Sequence, residues 1–215
     1  ELFQSLINQG FAVLAIDLFG CGTRMQEAQY FYQRFPQWSK MGKMVNDVSA
    51  CIDALQMMDN IDTKHIFVLG NTLGGSIGLI AAAQDERIAG IAAMAAFSPW
   101  RNNNSQYESI RIFSHQHGLI PRLGWYTENP QQVPVDWSEI VACIAPRPLL
   151  VIAPTLDWHS DSGAVKQTIS LVKNQYKICG KPENMVFQTP LEINRMTVSM
   201  NNEVALFFRR ITDNN

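Results

Sequence analysis

Residues Gly70-Asn71-Thr72-Leu73-Gly74 lie within FVLGNTLGGSIGLIAAA, Phe67 to Ala83, which has the pattern of a strand, one sharp turn and a helix. With serine at the centre, G-x-S-x-G, such a turn holds the hydroxyl over the end of a sheet, where it attacks an acyl carbon; the flanking Gly70 and Gly74 let the helix pack closely. Here the centre is threonine. Its hydroxyl is secondary and crowded, and a β-branched residue at positive φ is strained. Thr72 therefore reads as a slow nucleophile or a former one. The plain alternative is a glycine-rich strand-to-helix turn without chemistry.

A catalytic triad in this chain order runs nucleophile, acid, histidine. Asp157, in LLVIAPTLDWHSD just past Leu149 to Ala153, stands where the acid belongs; a loop carboxylate of no catalytic role reads the same way. The histidine is expected in FQTPLEINRMTVSMNNEV, between the last strand and the last helix, and that segment has none. Asn194 occupies the place. An amide orients and hydrogen-bonds, but it takes no proton at neutral pH. The chain has 4 histidines: His65 begins a strand, His115 and His117 lie in a long excursion, and His159 follows Asp157 by two residues. His159 is the candidate for a displaced base, with a solvated or structural role as its alternative.

Other chemistries fit less well. Asp157, His159 and Asp161 are metal-ligand types but lack a further partner, so no metal is expected. No Lys follows Gly74 or Gly75 as a phosphate loop requires, and Gly20-Cys21-Gly22 is followed by Met25 where a dinucleotide fingerprint needs its third glycine. No cofactor is expected.

The elements that must position these residues follow from the apolar pattern. Five short runs read as buried parallel strands: Phe11 to Leu18, His65 to Gly70, Ile88 to Phe97, Pro148 to Ala153 and Asn184 to Thr189. Between them, Met44, Val48, Cys51 and Leu55, and later Met200, Val204, Phe207, Phe208 and Ile211, form one-sided helical stripes facing the core. Alternation of strand and helix predicts an α/β fold, a mostly parallel sheet with helices on both faces, whose ligands bind at the carboxyl ends of the strands. Ser98 to Ala145 is a long excursion rich in Asn, Gln and aromatics, expected to be a lid or a substrate-shaping subdomain. Glu1 to Gln9 reads as a helix already under way, with Leu2, Phe3, Leu6 and Ile7 on one face. A βαβ unit begins with a strand, so the expectation is one domain spanning 1–215 that lacks its N-terminal strands.

Composition agrees with a single folded unit. The 215 residues are 47% hydrophobic and 17% charged, with net charge −2 and pI about 6.1. There is no Lys/Arg block, so nucleic acid and membrane surfaces are not expected partners. No apolar run approaches the roughly 18 residues of a membrane helix. Cys21, Cys51, Cys143 and Cys179 stand far apart, in neither a zinc nor a disulfide pattern.

LINQGFAVLAIDLFGCGTR, GNTLGGSIGLIAAA, RPLLVIAPTLDW and MNNEVALFFRRI together resemble the α/β-hydrolase superfamily, and within it bacterial esterases similar to dienelactone hydrolases and acetyl xylan esterases. The resemblance implies that Thr72 stands at the nucleophile, Asp157 at the acid, Asn194 close to the base, and that the Leu73 N–H is one oxyanion donor. It also implies a strand between Phe11–Leu18 and His65–Gly70, with the second donor in the loop that follows that strand and precedes the opening helix, so that this donor is expected to be absent from these residues. Without that strand the sheet has a gap there, or these two runs pair directly. FYQRFPQWSKMGKMVNDV and HGLIPRLGWYTENP resemble a subgroup from carbohydrate-degrading bacteria, which implies that asparagine near 194 is a subgroup trait and Thr72 a further departure.

Two functions follow as expectations. One is a carboxylic-ester hydrolase acting on a small-molecule or carbohydrate ester, impaired by Thr72 and Asn194. The other is a pseudoenzyme that survives as a carbohydrate-binding or accessory module. A base within reach of Thr72 discriminates them. The 215 residues could also be part of a larger enzyme that completes the site. Trp100, Trp125, Trp137 and Trp158, near strand ends, are candidates for stacking on sugar rings.

Overall fold

The computed structural model describes residues 1–102 and 109–213. Among them, four parallel strands form one sheet in the order β1-β2-β3-β4: β1 (Ile66–Asn71), β2 (Ile88–Met94), β3 (Leu149–Ile152) and β4 (Met185–Gln188). Strands as apolar as IAGIAAM and LLVI need cover on both faces. They have it, because alternate residues enter two separate cores. Ile91, Ala93, Leu149 and Val151 pack with Ile77, Leu79 and Val165 on one side, and Ala92, Met94, Leu150 and Ile152 with Leu6, Met200, Val204 and Phe208 on the other.

The helices divide accordingly. α1 (Leu2–Asn8) and α8 (Val198–Asp213) cover the second face. The first is covered by α3 (Lys40–Gln56), α4 (Leu73–Gln84), α6 (Trp137–Ala142) and α7 (Ser162–Ile178); α2 (Phe31–Arg34) and α5 (Ser109–Arg111) are short. The α8 stripe is the one read from the sequence. In α3 the fully buried residues are Met41, Met44, Val45 and Ile52; of the expected stripe Met44 is among them, and Val48 and Leu55 pack partly buried against the same core. Ser39 caps α3 by accepting the Gly42 N–H at 2.9 Å.

Phe11 to Leu18, expected as a strand, is not one. Phe11 stacks edge-on against Phe67 of β1 at 5.8 Å and Phe208 at 6.4 Å, and Val13 joins the second core, while Leu14 and Ile16 face solvent. Side-chain packing brings this segment beside β1, but a strand also needs partners for its N–H and C=O groups. Among the described residues no strand pairs with the outer edge of β1, so direct pairing of the two runs does not occur.

The excursion is a packed set of short helical turns rather than a loose loop; residues 103–108 of it lie outside the described residues. Its anchor is aromatic. The Phe97 and Trp137 rings stack at 4.9 Å, with Trp100 at 5.1 Å from Trp137. The buried Asp136 carboxylate accepts the backbone N–H groups of Trp100 and Arg101, each at 2.8 Å, and caps α6 in a capping box with Glu139. Two of the tryptophans proposed for sugar stacking are thereby corrected. Trp100 and Trp137 are 4% and 0% exposed, because aromatic area is worth most in a core. Trp125 and Trp158 do face solvent.

Register decides where the chemistry collects. Asn71 pairs with Met94, Met94 with Ile152 and Ile152 with Gln188, so all four carboxyl ends finish level. The ladder continues one step further: Thr72 N–H donates to Met94 O, Ala95 N–H to Ile152 O and Ala153 N–H to Gln188 O, each at 2.9 Å. The loops bearing Thr72, Asp157 and Asn194 all leave from this one edge.

Candidate active site

Thr72 has φ 52° and ψ −116°, and α4 begins at the next residue. This is the strained turn between strand and helix that the sequence pattern calls for, held by a threonine in a region that β-branched residues avoid. What permits the turn is the absence of side chains around it. A Cβ on Gly70 would lie 2.2 Å from the Gly74 carbonyl carbon and oxygen, and one on Gly75 would lie 2.8 Å from Ala96 Cβ. Gly74 is different: a Cβ there meets nothing within 4 Å. The close-packing role read into Gly70 and Gly74 thus belongs to Gly70 and Gly75. Further along the same helix, Gly78 lies against Val68, where an added Cβ would come within 2.9 Å of its Cγ1.

Three loops bring three side chains into a line. The Thr72 hydroxyl donates to Asn194 Oδ1 at 3.2 Å, and Asn194 Nδ2 donates to Asp157 Oδ2 at 3.4 Å. Asp157 is 5% exposed, and its other oxygen accepts the His159 backbone N–H at 2.9 Å. The order hydroxyl, two-ended polar group, carboxylate is that of a serine triad with an amide where the imidazole would be. Like imidazole, the amide offers an acceptor to one neighbour and a donor to the other; unlike imidazole, it has no basic nitrogen.

Asn71 is a partner that sequence reasoning missed. Its Oδ1 lies 3.3 Å from Thr72 Oγ1, so the one hydroxyl proton has two amide acceptors. The signal was present, since Asn71 adjoins Thr72, but neighbours in sequence share a site only when the backbone turns one back onto the other. His159 is brought close to Asp157 through its backbone, while its side chain is exposed and, among the described residues, no hydrogen bond joins it to Thr72. The Leu73 N–H belongs to the first turn of α4, whose amides have no acceptor within the helix. Asp161, considered with Asp157 and His159 as a metal ligand, instead caps α7 by accepting the Gly163 and Ala164 N–H groups. Among the described residues, no group of three or more His, Cys, Asp and Glu side chains is arranged to hold a metal ion.

The acid loop is clamped from both sides. Ser160 Oγ donates to Phe97 O at 2.7 Å and Asp161 N–H to Ser98 Oγ at 2.9 Å, which ties it to the loop after β2. Thr155 N–H donates to Pro190 O at 2.9 Å and Leu156 N–H to Glu192 O at 3.1 Å, which ties it to the loop carrying Asn194. Glu192 accepts hydrogen bonds from Arg195 and the Ile193 N–H, and these hold its carboxyl below the usual carboxylate range. The loops bearing Asp157 and Asn194 are therefore tied to each other and to the loop after β2, which favours a side-chain relay keeping its geometry.

The family model described as glucuronyl esterase of fungi matches residues 3–180. A carbohydrate esterase from an unknown prokaryotic organism is 29% identical over 133 residues, which is 58% of this chain and 30% of that protein. A 4-O-methyl-glucuronoyl methylesterase of Wolfiporia cocos is 29% identical over 159 residues, 67% of this chain and 39% of that protein. The chain thus spans well under half the length of these two curated relatives. Among solved structures, a carbohydrate esterase family 15 glucuronoyl esterase from Caldicellulosiruptor kristjansonii superposes with a TM-score of 0.72 at 21% identity, covering 86% of this chain and 55% of that one. At that identity the likeness is one of fold.

Proposed function

The chain belongs to the glucuronyl esterase family, with the α/β-hydrolase fold, and on that premise we propose that its candidate site is a carboxylic-ester hydrolase centre for carbohydrate esters, impaired by Thr72 and Asn194. The observation that carries this reading is the line of hydrogen bonds from Thr72 through Asn194 to the buried Asp157. In it Thr72 Oγ1 is the nucleophile toward an ester carbonyl, the Leu73 N–H is one donor to the developing oxyanion, and Asp157 orients the middle group. As the new C–O bond forms the Thr72 hydroxyl proton passes to solvent water, the tetrahedral intermediate expels the alcohol, whose oxygen takes a proton from water, and the acyl-threonine left behind is hydrolysed by a further water. At neutral pH Asn194 Oδ1 accepts a hydrogen bond but no proton, so the attack lacks the general base that contributes about 10²–10⁴-fold.

A uronic acid ester is the substrate class we favour, from the names of the relatives. The excursion at about 98–145, close-packed on Asp136 and the Phe97–Trp100–Trp137 cluster, serves in this reading as the wall that shapes the substrate pocket within a single domain. The missing base favours a second reading, a pseudoenzyme in which the same pocket binds carbohydrate without turnover.

The test is hydrolysis of methyl glucuronate and short-chain acyl esters by the wild type and by Thr72→Ala and Thr72→Ser, with intact-mass detection of the acyl-enzyme. Slow wild-type turnover that vanishes in Thr72→Ala supports an impaired esterase. Silence of the wild type and both variants, together with retained binding of the same sugars, would put the pseudoenzyme in its place.

A further inference from the structure

An open cleft of about 400 Å³ lies where the segment ahead of α3 meets α3 and the end of α4. Its volume is within the roughly 300–1,000 Å³ of small-molecule sites. The side chains around it are Gln37, Trp38, Ser39, Asn46, Ser49 and Gln84, with the apolar Val45 beneath them, and Gly42 leaves part of its floor bare. None carries a charge. Gln84 is the last residue of α4 and Thr72 precedes its first, so the cleft stands about 18 Å along the helix from the candidate nucleophile. It is separate from the site already described.

We propose that this cleft binds neutral oligosaccharide. Sugar rings present apolar C–H faces and a periphery of hydroxyls, and the cleft offers the complement of both. The Trp38 side chain, in a residue 52% exposed, is a platform held beside Phe35 at 6.3 Å by the Trp38 N–H to Phe35 O bond. Around it are amides and hydroxyls that both donate and accept. Among the described residues, the side-chain amides of Asn46 and Gln84 have no protein partner, which leaves them free for a diol. Gln37 and Ser49 are partly engaged, by Arg122 at 3.4 Å and by Asp85 respectively. A polyanion finds no cation among the lining residues. An apolar peptide is better served by the neighbouring cleft, which shares Trp38 but is walled by Phe19, Phe31 and Phe35. The site goes beyond the ester-hydrolase reading and stands whether or not Thr72 turns over.

Native affinity electrophoresis of the 215-residue chain tests it, in gels containing a debranched xylan, a β-glucan, a galactomannan or, as polyanion, polygalacturonate. At least one neutral polysaccharide should retard the wild type and Thr72→Ala alike. Trp38→Ala should abolish the retardation, and Asn46→Ala with Gln84→Ala should weaken it by about fivefold or more. Circular dichroism and the urea midpoint establish that these variants are folded. Equal retardation of Trp38→Ala, retardation by polygalacturonate alone, or no retardation of the wild type would each overturn the proposal. Loss of binding in Trp38→Ala with ester hydrolysis intact, and the reverse in Thr72→Ala, separates this site from the catalytic reading.

Discussion

If the line through Thr72, Asn194 and Asp157 is a triad in which the base has been replaced, restoring the base should restore catalysis. Asn194 already touches both neighbours, at 3.2 Å to Thr72 and 3.4 Å to Asp157. Its two polar atoms face the acceptor and donor positions that imidazole would fill, so Asn194→His needs no movement of the clamped acid loop. Thr72→Ser removes the crowding at the attacking oxygen. Each single variant should gain little, because a serine without a base and a base beside a hindered threonine are both deficient. The double variant Thr72→Ser/Asn194→His should raise kcat/KM for a methyl glucuronate or p-nitrophenyl acyl ester by about 10²–10⁴-fold, equivalent to roughly 2.7–5.5 kcal/mol of barrier. The gain should be more than the product of the two single effects, since the groups act as a unit. Imidazole is a base only when neutral, so activity should rise with pH through an apparent pKa near about 6.5, where the wild type shows no such step. Adding Asp157→Asn should remove most of the gain. A folded double variant no more active than the wild type, or one indifferent to Asp157→Asn, would refute the relay.

Further outcomes follow from packing and electrostatics. Gly70→Ala should destabilise severely, by about 3 kcal/mol or more, because its methyl would meet the Gly74 backbone at 2.2 Å. Gly74→Ala, with open space around it at the start of α4, should be neutral or stabilising by up to about 1 kcal/mol; urea unfolding compares the two. Thr72→Gly should stabilise the fold by about 1 kcal/mol in the same assay, since it relieves a β-branched residue at φ 52°, while removing the candidate nucleophile. Arg147 is held by the carbonyls of Ala82, Asp85 and Ile88, and burial pulls its pKa down; Arg147→Met should cost about 2–4 kcal/mol by stranding those acceptors. For Glu139, burial opposes ionisation, but hydrogen bonds from Arg101, Ser138 and the Asp136 N–H outweigh it and lower the carboxyl to about 2. A folded-state pKa below the unfolded one stabilises above about pH 4.5 and loses that contribution as pH falls toward 2, so the wild-type urea midpoint should fall more steeply than that of Glu139→Gln between pH 6 and 3.

Much was legible in the sequence because it depends on local pattern. The runs at 65–70, 88–97, 148–153 and 184–189 match the four strands, with β1 reaching one residue further to Asn71, and the α8 stripe is the buried one, because apolar periodicity records which side of an element must leave water. Thr72, Asp157 and Asn194 are each singled out by their place after a strand or before a helix, and the fold joins them in one line of hydrogen bonds. What tertiary structure decided were properties that need two distant segments at once. Phe11 to Leu18 has the composition of a strand, yet strandhood requires a hydrogen-bonded neighbour, and none pairs with it among the described residues. Trp100 and Trp137 read as candidate sugar platforms, yet contacts with Asp136 and Phe97 seal them in the core. Gly75 rather than Gly74 is crowded, because Ala96, from the loop after another strand, presses on it. The exposed Trp38 and its ring of neutral side chains lie in two separate stretches of chain that only the packing of α3 on α4 brings together. The chain order states which groups are available; the level carboxyl ends of four parallel strands, and the clamps on the loops that leave them, put a hydroxyl, an amide and a carboxylate within hydrogen-bond reach.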